Sequence, residues 1–248
     1  MSGIEMAYGD VVASWRARVI SDRASLAAAL DTYRTRFAYH SGAIENPAIT
    51  YHDTRDVFEN GRVSGFSGDP RTLFEIQNLK SCHEYILDAF EDRRVVDEAF
   101  VLEVHSILTQ GTYDERRWRA GERPGAYKVR DHVVGSGDVG AMPTEVPSEM
   151  DALLREVAEA ESGDALTVAS YFHAVFENIH PFADGNGRCG RELTNYLLIL
   201  RDHPPLIVFE QDRVAYYGAM ETWDLERDLE PLRTFFMAET IRTWHPGV

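Results

Sequence analysis

The chain has 248 residues, of which 44% are hydrophobic and 27% are charged, so its composition supports a folded core and excludes general disorder. Its 25 basic and 41 acidic residues give a formal net charge of −16 at pH 7. Because nucleic acids and anionic membranes attract cationic surfaces, this charge argues against both as partners.

The length suits one large domain, or one domain with a small appendage. The two cysteines, Cys82 and Cys189, form no CxxC or Cys/His motif of the kind that binds zinc. No apolar segment is long enough to cross a bilayer, and the N-terminal residues do not resemble a signal peptide. We therefore expect a cytoplasmic protein.

Apolar residues recur at helical spacing along most of the chain, so the sequence predicts a mostly α fold. The first stripe comprises Leu26, Leu30, Tyr33 and Phe37, and two more cover residues 73–90 and 100–108, the last ended by Gly111. Further helices are expected over residues 147–161, 164–179, 188–202, 211–223 and 228–243.

Residues 125–145 break this helical pattern. Val133 and Val134 are followed by a Gly-Ser-Gly-Asp sequence and then by a second short apolar segment, 139–142. Short arms of this kind around a glycine-rich turn are typical of a β-hairpin. We therefore expect one small hairpin in an otherwise helical fold.

A glycine-rich loop between the helices expected at 164–179 and 188–202 has the features of an anion site. Gly185 and Gly187 allow a tight turn and a close approach of backbone N–H groups to a ligand. The loop leads into a helix whose N-terminus favours negative charge. Arg188 and Arg191 project from the first turn of that helix, and guanidinium groups bind phosphate oxygens in pairs.

The same loop carries a candidate base and a candidate metal ligand. His180 is the group in the loop that can accept a proton near neutral pH. Asp184 offers the hard oxygen ligand that Mg²⁺ prefers. Each of these residues alone has an ordinary structural explanation as a cap, a turn or a solvated helix face, but together within twelve residues they indicate phosphoryl-type transfer.

The segment resembles the Fic motif, HxFx(D/E)GNGRxxR, and the resemblance of the chain to this family extends from about residue 36 to about residue 240. Every defined position of the motif matches: His180, Phe182, Asp184, Gly185, Asn186, Gly187, Arg188 and Arg191. The resemblance implies a Fic-fold helical bundle with a small β-hairpin flap. We assign residues 1–35 to an N-terminal helical extension and residues 36–248 to the Fic domain, in one compact unit.

The resemblance also implies a role for each motif residue. His180 would be the general base, and Asp184 would hold Mg²⁺ on the phosphates of ATP. Arg191 would reach the γ-phosphate, and Phe182 would fix the loop in the core. The remaining residues would cradle the α- and β-phosphates: Gly185, Asn186, Gly187 and Arg188.

A second match precedes the Fic core. Ser41, Glu45 and Asn46 lie in a segment that resembles the family's inhibitory motif, (S/T)xxxE(G/N), within an expected inhibitory helix at residues 36–46. The resemblance implies that Glu45 forms a two-pronged ion pair with Arg191, the group that the γ-phosphate needs.

Two weaker matches concern the target and the nucleoside. Gly125-Ala126-Tyr127-Lys128 resembles the start of the family's flap, although Lys128 stands where arginine is common. The resemblance implies that Val133, Val134 and Gly135 hold the target by strand addition. It also implies that Tyr217 contacts the adenosine and that Tyr216 lies in the core.

The activity implied is transfer of AMP from ATP, with Mg²⁺, to a Tyr, Thr or Ser hydroxyl of a target protein, under autoinhibition. Self-modification and a homodimer are compatible with the resemblance. Two alternatives stay open at this point. One is a Fic enzyme that uses another nucleotide or removes AMP, and the other is a non-catalytic module that senses nucleotides.

Overall fold

A computed structural model of the chain describes residues 3–131, 133–134, 137–138, 140–160 and 163–245. The described part is mostly α-helical, as the sequence predicts. Its helices are α1 (Gly3–Arg16), α2 (Arg23–Ala29), α3 (Asp31–Glu45), α4 (Tyr51–Asn60), α5 (Pro70–Glu91), α6 (Glu98–Thr109), α7 (Glu115–Arg119), α8 (Val146–Glu159), α9 (Ala165–Ile179), α10 (Asn186–Leu200), α11 (Arg213–Glu226) and α12 (Glu230–Trp244). A 3₁₀ turn, Glu210–Asp212, precedes α11.

Aspartates set the start of the helices that surround the loop. Asp69, Asp97 and Asp164 precede α5, α6 and α9, and each accepts a hydrogen bond from a backbone N–H of the first turn. This contact satisfies an N–H group that has no partner within the helix. The helix starts are therefore fixed locally by the sequence.

The centre of the fold is the pair α9 and α10, which pack against each other and flank the glycine-rich loop. Phe172 and Phe176 of α9 and Leu193 of α10 are fully buried in the main core. Helix α3 packs against α5 and α10, and Glu45 at its C-terminal end contacts the first turns of α10. This arrangement brings the segment that is predicted to be inhibitory to the loop.

The predicted hairpin is present only as a minimal strand pair. Two residues, β1 (Val133–Val134), pair antiparallel with two residues, β2 (Gly137–Asp138), and an extended flap over 125–145 is not seen in the described residues. Gly135 lies outside the described residues. This part of the sequence favours only a short β-ladder. It has few β-branched residues, and glycine, which weakens strands, recurs around the predicted turn.

The helix boundaries depart from the sequence pattern near the N-terminus. The stripe from Leu26 to Phe37 is divided at Leu30, which ends α2 and precedes α3. Helix α1 lies within the expected N-terminal helical extension, although the apolar stripes did not include it, because only its Val11 and Trp15 are buried. Among the described residues, no helix is both long enough and apolar enough to span a membrane.

Candidate active site

His180 occupies the first position after α9. Its backbone is left-handed (φ 50°, ψ 62°), and its N–H donates to Phe176 O, which ends the helix. A non-glycine residue rarely adopts this conformation unless its surroundings fix it. The side chain is only partly buried, which suits a group that must meet an incoming hydroxyl.

Two backbone hydrogen bonds tie the flap segment to the residues on either side of His180. Lys128 N–H donates to Pro181 O at 2.9 Å, and Ala141 N–H donates to Ile179 O at 2.9 Å. Both ends of the segment that is predicted to hold the target are thus anchored next to the predicted base.

The Asn186 side chain stabilises the loop through two hydrogen bonds to the Phe182 backbone. Its Oδ1 accepts a hydrogen bond from Phe182 N–H at 2.9 Å, and its Nδ2 donates to Phe182 O at 2.8 Å. The Phe182 ring is fully buried in the main core. In this structure the Asn186 amide therefore shapes the loop, and its contact with phosphate stays a prediction.

His105 of α6 contacts the loop and stabilises it. The sequence pattern did not predict this role. Its Nδ1 accepts from Gly125 N–H at 3.0 Å, so Nε2 carries the proton and donates to Asp184 O at 2.9 Å. The ring stacks on Phe182 with centroids 3.6 Å apart. Burial lowers the pKa of His105 to about 4, so the imidazole is neutral at pH 7.

The N-terminus of α10 lacks a capping side chain. Gly185 occupies the N-cap position with φ 85°, and it makes no side-chain hydrogen bond. The N–H groups of the first turn and the helix dipole therefore favour a bound anion. A β-carbon on Gly185 would lie 2.6 Å from the Thr109 methyl group, so both conformation and space require glycine.

Arg188 is buried beside this N-terminus with incomplete pairing. Its Nε and Nη1 have no hydrogen-bond partner. The nearest carboxylates are Glu75 at 3.7 Å from Nη1 and Asp184 at 3.6 Å from Nη2, which are ion-pair distances. Because unpaired buried donors are costly, the arrangement suits an anionic ligand.

Arg191 is held by the segment that resembles the family's inhibitory motif. Its Nε donates to Ser41 Oγ at 3.0 Å, and its Nη2 donates to Ser41 O and to Glu45 Oε1, both at 2.8 Å. The contact with Glu45 uses one carboxylate oxygen rather than the two-pronged pair expected. Burial lowers the pKa of Arg191, but the combined effect of Glu45, Tyr216 and Glu177 outweighs it, and the net pKa is raised.

The Asp184 carboxylate carries guanidinium partners from outside the motif. Arg71 Nη2 lies 2.6 Å from Oδ2, and Arg117 Nη2 lies 3.7 Å from the same oxygen. Mg²⁺ usually binds through one or two carboxylates together with substrate phosphates, so one aspartate beside an anion site fits this ion. Among the described residues, no cluster of three or more His, Cys, Asp or Glu could hold a metal by itself.

Helix α11 places Tyr217 within electrostatic reach of Glu45 and Arg191. Tyr217 is 44% exposed, whereas Tyr216 is fully buried, as the sequence predicted. The Thr194 hydroxyl donates to Gly190 O, so it accepts from His173 Nδ1, and His173 Nε2 accepts from Tyr216 at 2.5 Å. Tyr217 is thus an exposed ring next to a fixed hydrogen-bonded core.

Glu177, on α9, is a further carboxyl that the motif does not include. Its Oε1 is buried without a hydrogen-bond partner and faces Gly190, where a β-carbon would lie 2.6 Å away. Burial raises the pKa of Glu177 to about 8, although Arg191 acts in the opposite direction. The group is therefore largely protonated at pH 7.

Comparisons with known proteins agree with this geometry. Relatives named "Protein adenylyltransferase Fic" from Drosophila persimilis and Aedes aegypti are each 30% identical over 208 residues, which is 83% of this chain. The matches cover 39% and 40% of those relatives, so the chain spans about two fifths of their length.

Solved structures show the same fold. A Fic domain containing signaling protein from Bacteroides thetaiotaomicron superposes with a TM-score of 0.83 at 24% identity, covering 96% of this chain and 94% of that one. A Fic family protein from Desulfovibrio desulfuricans gives 0.74 at 24% identity, covering 99% and 74%. The family model "Fic/DOC family" matches residues 95–198, which include the loop and most of α10, and this part of the chain therefore belongs to the Fic/DOC family.

Proposed function

We propose that the chain is a protein adenylyltransferase, which transfers AMP from ATP to a Tyr, Thr or Ser hydroxyl of a target protein, and that Glu45 restrains it. The observation that carries the proposal is one short loop that joins a partly exposed His180 to an uncapped helix N-terminus with Arg188 and Arg191. The names of the relatives support the nature of the transferred group.

In the proposed reaction the target oxygen attacks the α-phosphorus of ATP, and the bond from that phosphorus to the bridging oxygen breaks. Pyrophosphate leaves with the electron pair of that bond, and His180 takes the proton of the hydroxyl. The first turn of α10 and Arg188 stabilise the charge on the phosphates through fixed donors. Asp184 would hold Mg²⁺, which supplies charge neutralisation on the phosphates when bound.

The restraint follows from the occupation of Arg191. A γ-phosphate and the Glu45 carboxylate compete for the same guanidinium, and their negative charges repel each other. If ATP binds while Glu45 is in place, its α-phosphorus would be out of line with the attacking hydroxyl. We also propose that the target adds a strand at Val133, Val134 and Gly135 through backbone bonds.

The test is transfer of label from α-labelled ATP with Mg²⁺ to protein, in wild type, Glu45→Gly and Glu45→Gly/His180→Ala. We expect label with the added mass of AMP on the Glu45→Gly variant and little on the others. Equal labelling of all three proteins would reject the proposal. Labelling only with CTP, GTP or UTP would keep the enzyme class and change the transferred group.

A further inference from the structure

Arg71 makes the shorter of the two contacts between Asp184 and guanidinium groups from outside the motif. It belongs to the first turn of α5, and its Nη2 donates to Asp184 Oδ2 at 2.6 Å. The Asp184 side chain is 19% exposed and that of Arg71 is 35% exposed, so the contact lies at the mouth of the site. The carboxylate that fits the metal thus already binds a cation of the chain.

Glu75, one turn farther along α5, orients this guanidinium. Its Oε1 accepts from Arg71 Nε at 3.0 Å, while its Oε2 accepts from Asn46 Nδ2 at 2.6 Å. The Glu75 side chain is only 5% exposed. Because both oxygens are engaged in a buried place, Glu75 directs Arg71 towards Asp184 rather than leaving it to solvent.

We propose that Arg71 is a positioning residue. Its guanidinium acts as an internal cation that holds the Asp184 carboxylate and competes there with the divalent metal that accompanies the nucleotide. This proposal rests on the proposed function only in taking Asp184 as the metal ligand. A divalent cation on Asp184 needs carboxylate lone pairs, of which Arg71 already engages those of Oδ2, and the positive charges of the cation and of Arg71 repel each other on one carboxylate. Arg71 thereby lowers the affinity of the site for the metal.

Arg117 provides a matched comparison. It carries the same charge and approaches the same oxygen, but at 3.7 Å, and it also pairs at 3.2 Å with Asp114, the N-cap residue of its own helix. If direct contact matters, removal of Arg71 should change the affinity for the metal more than removal of Arg117 does. If only the total charge matters, the two removals should be equal.

The experiment measures the dissociation constant of α,β-methylene-ATP by calorimetry, once in EDTA and once in saturating Mg²⁺. The dissociation constant in EDTA divided by that in Mg²⁺ gives a ratio that reports how much the metal strengthens binding. The proteins are Glu45→Gly alone and Glu45→Gly combined with Arg71→Gln, Arg71→Lys, Arg117→Gln, Asp184→Asn or Arg71→Gln/Asp184→Asn. Thermal unfolding of each variant checks the fold.

We expect Arg71→Gln to raise the ratio about fivefold, which corresponds to about 1 kcal/mol, a usual value for loss of a partly exposed ion pair. Arg71→Lys should restore most of the original ratio, and Arg117→Gln should change it by less than about twofold. Asp184→Asn should abolish the difference made by Arg71→Gln, because the shared carboxylate is then gone.

An unchanged or lower ratio in Arg71→Gln with an unchanged unfolding temperature would overturn the proposal, as would equal effects of the Arg71 and Arg117 substitutions. Titration of nucleotide-free protein with Mn²⁺, followed by electron paramagnetic resonance, gives the same comparison without ATP. Neither measurement needs turnover. The expected ratios without AMP transfer would reject the proposed function alone, and AMP transfer without them would reject the role of Arg71 alone.

Discussion

A β-carbon on Gly187 would overlap Oε1 of Glu45. The Glu45 carboxylate therefore lies against the first turn of α10, as well as on Arg191. It sits where the free N–H groups and the helix dipole favour an anion. Glu45 thus resembles the phosphate that it is proposed to displace, both in charge and in position.

Replacement of Glu45 by glutamine should strengthen nucleotide binding. The substitution keeps the size of the side chain and removes the charge that pairs with Arg191 and repels phosphate. We expect the dissociation constant of α,β-methylene-ATP to fall about tenfold, measured by calorimetry in Mg²⁺. Glu59→Gln on the exposed end of α4 is the control, because Glu59 pairs only weakly with Arg55 at 3.9 Å. Equal affinities in Glu45→Gln and wild type would contradict this account.

Replacement of His180 by asparagine should separate catalysis from binding. Asparagine tolerates the left-handed backbone at this position better than alanine does, so the loop should keep its shape. In a Glu45→Gly background we expect the rate of AMP transfer to fall by on the order of 100-fold to 10,000-fold, a usual range for loss of a general base. The affinity for nucleotide should stay within about twofold. A parallel loss of affinity would mean that His180 binds rather than catalyses.

Helices α5, α6, α9 and α10 could be predicted because each carries a row of large apolar residues at helical spacing. A capping aspartate also precedes α5, α6 and α9. Helix α7 could not, because none of its five residues is buried. Such a helix has no apolar face, so its stability comes from contacts that are distant in sequence.

The candidate site divides in the same way. The motif residues from His180 to Arg191 are contiguous, so their spacing alone indicates a base beside an anion site. Arg71, His105 and Arg117 reach the loop from α5, α6 and α7, and they meet it only after the helices pack. A histidine or arginine inside a helix carries no signal that distinguishes such a role from an ordinary one.

His105 should make the protein more sensitive to acid. In the folded chain its pKa is about 4, against about 6.5 when unfolded, so the unfolded state takes up the proton first as the pH falls. The stabilising contribution is therefore present above pH 6.5 and is lost as the pH falls towards 4.

His105→Phe keeps the stacking on Phe182 but leaves Gly125 N–H and Asp184 O without this partner. We expect a loss of about 2 kcal/mol at pH 7.5 in urea unfolding, and a difference from wild type that shrinks by on the order of 1–2 kcal/mol at pH 5. His52→Gln at an exposed position of α4 serves as control. A difference that is constant between pH 7.5 and pH 5 would exclude the low pKa.

Glu192 should have the opposite effect, on the alkaline side. It lies on α10 among buried residues, and burial raises its pKa to about 8, against about 4.5 when unfolded. Between these values the folded state keeps a proton that the unfolded state releases, so stability falls as the pH rises. The contribution is complete below pH 4.5 and is lost as the pH passes through 8.

Glu192→Gln is neutral at every pH and has nearly the same shape, so it should flatten this decline. We expect the free energy of unfolding of wild type to fall relative to Glu192→Gln by on the order of a few kcal/mol between pH 5 and pH 9, measured by urea unfolding. Glu221→Gln at an exposed position of α11 should leave the slope unchanged. Glu177 and Glu239 also have raised pKa values, so part of the decline should persist in the variant. Identical slopes for wild type and Glu192→Gln would show that Glu192 is ionised in the folded core.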